Sequence, residues 1–319
     1  MRVDRARGAH INGMIDFTSG WLVANVGHDN PAVLRAVREA YGWAVIDGYE
    51  NPHRVLAERE MRSILPPHLT ELAFYNSGSE AMDAAVRFAG RPIRTMERAY
   101  HGSTIGAQAL MRIGAHLDAL NTEPREAVLL ETFLGPWCEW LPDELITRLR
   151  TLQETRGMVV IFDEMQAGFG RTGRWWGFQH YRIEPDIVVG GKAMAGGFPM
   201  AFVATRAGMM SGPDNWESTF SGNALCCAAC VATIQEIKRR RLLERVRALE
   251  PIIRDALPAR GKGFAYAVDC ERADEVVSEA AERGLLLLRT HRQTVKVAPP
   301  LCISERDLRR GLAILKRLL

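Results

Sequence analysis

Long apolar runs are missing from this 319-residue chain: no stretch of roughly 18 residues is apolar enough to cross a membrane as a helix. The opening residues, MRVDRARGAH, are too polar for a secretory signal, so a cytoplasmic protein without a membrane partner is expected. Charge of one sign is equally scarce. The net charge is only +3, and the basic run Lys238 to Arg241 is embedded among apolar residues as a solvated helix face is, which argues against a nucleic-acid partner. Cysteine is sparse, with six residues at positions 138, 226, 227, 230, 270 and 302 and no histidine nearby at zinc spacing. Three of them lie in the alanine-rich run ALCCAACVA, where cysteine acts as a small apolar residue. Neither a metal nor a disulfide is expected. Internal repeats and low-complexity linkers are absent too. What remains is an ordinary globular composition, 47% hydrophobic and 25% charged, in a chain long enough for about two domains.

Strand-like and helix-like segments alternate through much of the chain. Helices are expected after Asn30-Pro31 and over Val55 to Leu65, where Pro66-Pro67 ends the run. The short strand LAFY breaks into Asn76-Ser77-Gly78-Ser79 and becomes a helix at once; RTMERAYHGST reads as a strand leading to Tyr100, His101 and Gly102; AVLLET ends on Glu131. This alternation predicts an α/β fold with a mostly parallel sheet flanked by helices. After Asn223 a single long helix is expected, and beyond Pro258 short strands and helices form a smaller α+β unit.

The stretch Met158 to Met200 carries the densest chemistry. MVVIFDE is an apolar run that stops at two acids, and DIVVGGKA ends on glycines and a lysine. Strands buried on both faces read this way, and ligands of open α/β sheets sit beyond the carboxyl ends of strands, so Asp163 and Lys192 are expected to face one crevice. Two motifs here mislead. Gly168 to Gly173 matches GxGxxG, but Asp163 and Glu164 would repel a pyrophosphate and RWWGFQHY is a poor supporting helix. Gly190-Gly191-Lys192 is similar to a P-loop ending, but Ala193 stands where a magnesium-binding hydroxyl is needed.

A lysine, an acid and a serine–glycine turn at strand ends suit pyridoxal phosphate, which needs a lysine for its aldehyde, a carboxylate for its ring nitrogen and a cup for its phosphate. Taken alone, the turn Asn76 to Ser79 reads equally as a phosphate site at a helix start or as a plain N-cap, with Ser79 the capping residue.

The strings NSGSEAMDAAVRFA, YHG, FDEMQAGFGRTG, PDIVVGGKAMAGGFPM and STFSGNAL, with DFTSGWLVANVGHDNP and VAPPLCIS at either end, stand in an order that resembles the class III (ω-type) aminotransferases of PLP fold type I. The resemblance implies a large domain over 45–241 and a small domain formed by 1–44 and 242–319. It implies that Lys192 carries the cofactor and Asp163 pairs with the ring nitrogen. Ser77, Gly78 and Ser79 then form the phosphate cup, Tyr100 and Met165 flank the ring, Gln166 approaches the ring hydroxyl, and His101 and Glu131 lie close by. Glu131 is followed by Thr132 where the family has proline. Thr219 matches a family threonine that reaches the phosphate of the neighbouring subunit, which implies a homodimer with shared sites. Trp21 matches an aromatic residue lining the substrate entrance; in isolation it reads equally as core.

The implied reaction is transfer of an amino group from a primary amine or amino acid to a keto acid or aldehyde by a ping-pong mechanism. The alternative is other PLP chemistry on the same scaffold: decarboxylase, racemase, aminomutase or phospho-lyase. Two departures bear on substrate. The chain is shorter than usual between the Ser77 to Glu80 motif and Tyr100, and between Tyr100 and Glu131. Lys296, a candidate substrate residue, also stands where the family commonly has a carboxylate-clamping arginine, so reaction with a dicarboxylate is expected to be weakened or to use another cation, such as Arg289 or Arg292.

Overall fold

The computed structural model describes residues 6–43, 51–112, 126–211, 218–290 and 293–319. Three short strands, β1 (Ala6–Arg7), β2 (His10–Ile11) and β3 (Met14–Asp16), lead into a one-turn element α1 (Ser19–Leu22), then helices α2 (Pro31–Glu39) and α3 (Pro52–Arg62). Both helices start alike: an asparagine side chain, Asn30 or Asn51, accepts first-turn amides and proline follows. The Asn51 cap moves the start of α3 ahead of the expected Val55.

The central sheet follows, built from β4 (Glu71–Tyr75), helix α4 (Gly78–Ala89), β5 (Ile93–Thr95), helix α5 (Ile105–Arg112) and β6 (Ala127–Glu131). A hairpin of β7 (Phe133–Leu134) and β8 (Glu139–Trp140) and helix α6 (Asp143–Arg156) precede β9 (Val159–Asp163), β10 (Ile187–Gly190) and β11 (Ala201–Thr205). The strand order is β4-β11-β10-β9-β6-β5. Strands β5, β6, β9 and β10 run parallel, and β11 lies antiparallel between β10 and β4. Every residue of β6, β9, β10 and β11 is buried, which is why their sequences are almost unbroken apolar runs. The register aligns Glu131, Asp163 and Val189 in one row at the carboxyl ends.

Two elements differ from expectation. The strand before Tyr100 is short: only Ile93–Thr95 pairs, and Arg98, with φ 72°, turns the chain, so Tyr100 and His101 sit on an arch beyond the sheet. The expected long helix is two, α7 (Ala224–Arg239) and α8 (Leu242–Ala256), because Arg241 adopts a left-handed φ of 50° that an α-helix cannot contain. The basic run at this break is satisfied by acids: Lys238 Nζ lies 2.6 Å from Glu60, and Arg239 and Arg240 reach Glu236. Cys227 and Cys230 stand at C-x-x-C spacing on α7, but both are buried and burial pushes the Cys227 thiol up to about 12, so they pack as small apolar residues.

The remaining elements are β12 (Arg260–Lys262), β13 (Ala265–Asp269), helix α9 (Ala273–Glu282), β14 (Leu285–Leu286), β15 (Leu288–Thr290), β16 (Thr294–Val297) and helix α10 (Glu305–Lys316). One antiparallel sheet has the order β12-β13-β16-β15, while β14 pairs in parallel with β3, so strands from both ends of the chain share a sheet. Among the described residues no helix is long and apolar enough to cross a membrane.

The misleading glycine motif has a structural use. Its Arg171 is fully buried and donates to Pro299 O (2.5 Å), Phe264 O (3.3 Å) and Ser19 Oγ (2.9 Å), and also to Asn25 Oδ1. A cation thus joins segments from both ends of the chain to the loop after β9, and burial lowers its pKa to about 9.

Candidate active site

The site is assembled where the parallel strands end. Asp163, the last residue of β9, is buried; its Oδ1 accepts the Met165 amide at 3.0 Å and its Oδ2 lies 2.9 Å from His101 Nδ1. His101 Nε2 in turn lies 2.9 Å from Thr95 Oγ1. A neutral His101 that donates from Nδ1 to Asp163 accepts the Thr95 hydroxyl at Nε2. Thr95 ends β5, so the arch through Tyr100 is what brings His101 back over the sheet.

Glu131, beside Asp163 on β6, accepts the Tyr100 amide at 2.9 Å and the Gly135 amide at 3.2 Å. Burial raises its pKa above the ordinary carboxylate range, and the neighbouring Asp163 adds to the rise. It orients backbone on both sides of the site. Glu164 is likewise raised to about 7 by burial, while it accepts Gly177 N (2.7 Å), Phe178 N (2.8 Å) and Thr132 Oγ1 (3.0 Å). Consecutive strand residues point to opposite faces, so Asp163 serves the site and Glu164 the scaffold behind it.

Lys192 follows β10 with Gly191 between them and has a left-handed φ of 39°. A non-glycine residue held there is strained, as functional residues often are. It lines a cavity of about 710 Å³ together with Trp21, Tyr100, Gln166, Arg289 and Lys296. Trp21 is 62% exposed and projects from α1, whose residues 19–22 are all left-handed with φ between 49° and 66°. Ser19 anchors that turn by donating to Ala298 O at 2.6 Å and accepting Arg171.

Helix α4 begins at the same edge. Ser77 caps it, accepting Glu80 N at 3.3 Å, while Glu80 accepts the amides of Asn76 (2.9 Å) and Ser77 (3.0 Å). The Ser77 hydroxyl accepts as the N-cap and keeps its own proton to donate, and with the first-turn amides of Gly78 and Ser79, which have no partner inside the helix, it can hold an anion. Ser79 Oγ accepts Ser103 N at 2.9 Å, tying the arch to the helix.

Glycines keep the space open at these junctions. A Cβ on Gly78 would lie 2.9 Å from Met165 Sδ, one on Gly102 2.3 Å from Ser79 Oγ, and one on Gly135 1.4 Å from Gln166 Nε2. Gly135 and Thr95 are parts of the site that residue spacing does not reveal.

Other expected residues lie as follows. Met165 is half-buried against Gly78 and Gly191. Lys296, on β16, is 2% exposed with its Nζ 2.9 Å from Gly135 O and 3.0 Å from Gln166 Oε1. Arg289 borders the cavity, but its Nε is 2.6 Å from Asp274 Oδ1, and in the β15–β16 register it stands opposite Val295, not Lys296. Arg292 lies outside the described residues. Thr219 is exposed in a turn held to Asn76 by a 2.5 Å bond from Asn76 Nδ2 to Ser218 Oγ. No group of three or more metal-binding side chains occurs among the described residues.

This donor set fits pyridoxal phosphate: a lysine at the cavity, a buried acid at a strand end, and free amides at a helix start with glycine beside them. The family model "Aminotransferase class-III" matches residues 2–117 and 108–319. The chain belongs to the class III aminotransferases.

The acetylornithine aminotransferase of Methanosarcina mazei is 32% identical over 334 residues, 92% of this chain and 84% of its own. The solved acetylornithine aminotransferase of Elizabethkingia anophelis is 25% identical with a TM-score of 0.87, covering 99% of this chain and 93% of its own. The ornithine aminotransferase of Toxoplasma gondii, 24% identical, has the same fold with a TM-score of 0.90, covering 99% of this chain and 89% of its own. This class III aminotransferase uses pyridoxal phosphate and transfers amino groups by a ping-pong mechanism on fold type I.

Proposed function

We propose that this enzyme moves an amino group between an amino acid or primary amine and a keto acid or aldehyde, with Lys192 and Asp163 as its two catalytic residues. The observation that carries this reading is the meeting of Asp163, Lys192 and the start of α4 at one edge of the sheet. Bound pyridoxal phosphate supplies an electron sink for the pair left when a bond to the substrate Cα breaks.

The protein's own residues do the rest. Lys192 would hold the cofactor through its aldehyde, and its amine, when free, would carry a proton to or from the substrate Cα. Asp163 would keep the ring nitrogen protonated, and His101 and the Met165 amide hold its carboxylate in place. Ser77, Gly78 and Ser79 would hold the phosphate at the start of α4, Gln166 would donate to the ring hydroxyl, and Tyr100 and Met165 would flank the ring. Glu131 acts through the Tyr100 amide. Trp21 forms the outer wall of the cavity.

Arg289 borders the cavity, and no carboxylate stands among its described lining residues, which supports a substrate that bears a carboxylate. N-acetylornithine and ornithine are the first donors to test, given the relatives named above. Exposed Ile105 (92%) and Phe220 (55%) flank the cup, since Ser103 and Ser218 tie their segments to it. Such apolar surface supports a homodimer in which Thr219 serves the partner's phosphate site. The shared β3–β14 sheet and the break at Arg241 support two domains, 45–241 and 1–44 with 242–319.

Borohydride reduction of the cofactor-loaded enzyme, followed by peptide mass spectrometry, is expected to leave the cofactor's mass on Lys192. Lys192→Ala should abolish both this label and the conversion of donor amine. Label on another lysine would refute the assignment.

A further inference from the structure

Lys296 is the residue whose surroundings fit its expected use least. The protein surrounds its amine with Gly135 O at 2.9 Å, Gln166 Oε1 at 3.0 Å, the Cys138 thiol and the face of Phe133 with its centroid at 5.3 Å. The residue is 2% exposed although it borders the cavity, so a substrate carboxylate would have to displace one of these partners.

The consequence falls on Gln166. An ammonium beside a side-chain amide admits only the oxygen, because the amide NH2 would set donor against donor. Gln166 Oε1 therefore faces Lys296, and Nε2 is turned away over Gly135, where even one methyl group would lie 1.4 Å from it. Phe133 and Gly135 belong to the segment after β6, and Lys296 to the sheet β12-β13-β16-β15, so one ammonium fixes a cavity residue from two directions.

We propose that Lys296 is a positioning residue for the cofactor: it locks the Gln166 amide with its NH2 toward the ring hydroxyl and does not receive the substrate carboxylate. This rests on the reading above that Gln166 meets the ring.

A double-mutant cycle on the full enzyme tests it, with Gln166→Ala, Lys296→Met and both together, read by cofactor dissociation constant and by absorbance of the bound cofactor against pH. Each single change is expected to weaken cofactor binding roughly tenfold, with the double variant no more than about twofold worse than either. Both single variants should move the absorbance midpoint in the same direction. KM for donors with and without a carboxylate should change in parallel. If the Met variant does not fold, Lys296→Gln takes its place in the cycle.

Multiplying effects on cofactor binding would overturn the proposal while leaving the role of Gln166 intact. So would an unchanged midpoint with KM raised for carboxylate donors alone. A Gln166→Ala enzyme with unaltered binding and spectrum would remove the ring contact itself, and the proposal with it.

Discussion

His101 Nδ1 lies 2.9 Å from Asp163 Oδ2 with both side chains buried, so the acid assigned to the cofactor ring is held by a side chain from the arch between β5 and α5. His101→Phe keeps ring volume and removes the bond. Cofactor binding is expected to weaken roughly tenfold with little loss of folded protein, as when an outer partner of a ligand-binding group is removed. Equilibrium dialysis alongside a thermal melt measures both; unchanged binding would mean that the Met165 amide alone suffices to hold Asp163.

Glu164 gives a pH dependence with a definite sign. Its folded pKa, about 7, lies above the ordinary 4.5, so between these values the folded state binds more protons than the unfolded state. Its contribution to stability is therefore most favourable below 4.5 and declines as pH rises to about 7. Urea denaturation at a series of pH values should show a shallower decline in Glu164→Gln than in the wild type, by roughly 1–3 kcal/mol across the window. Parallel curves would place the burden on another group.

Arg171→Met removes the donors that join Ser19, Asn25, Phe264 and Pro299. Buried acceptors left unpaired cost about 1–3 kcal/mol each, partly offset because a cation no longer has to be buried. A net loss of about 3–5 kcal/mol is expected from chemical denaturation. Since Ser19 anchors the left-handed turn that carries Trp21, KM for amine donors should also rise in whatever fraction remains folded.

Gly135→Ala inserts a methyl group where Gln166 Nε2 now sits. Gly135 is buried next to a flexible side chain, so the fold should survive while the amide moves. The absorbance–pH profile of the bound cofactor is expected to shift as in Gln166→Ala, with the melting temperature lowered by only a few degrees for about 1 kcal/mol. An unshifted profile would show that Gln166 does not need its present position.

Residue types and their order determined most of this protein. Uninterrupted apolar runs predicted strands buried on both faces, and these are β6, β9, β10 and β11, because only a sheet covered on both sides tolerates them. The acid and the lysine at the ends of two such runs marked the site, since strand ends are where a parallel sheet opens to ligands. Contacts distant in sequence were decided by tertiary structure alone. Arg171 in a false dinucleotide motif became an anchor between both ends of the chain, and the hydroxyl that caps α4 is that of Ser77, not Ser79. Lys296 stood in the carboxylate-binding position of its family, yet it lies against Gly135 and Gln166, more than a hundred residues earlier. Local pattern records which face a side chain leaves from, whereas its partner depends on how separate sheets are brought together, and no local pattern encodes that.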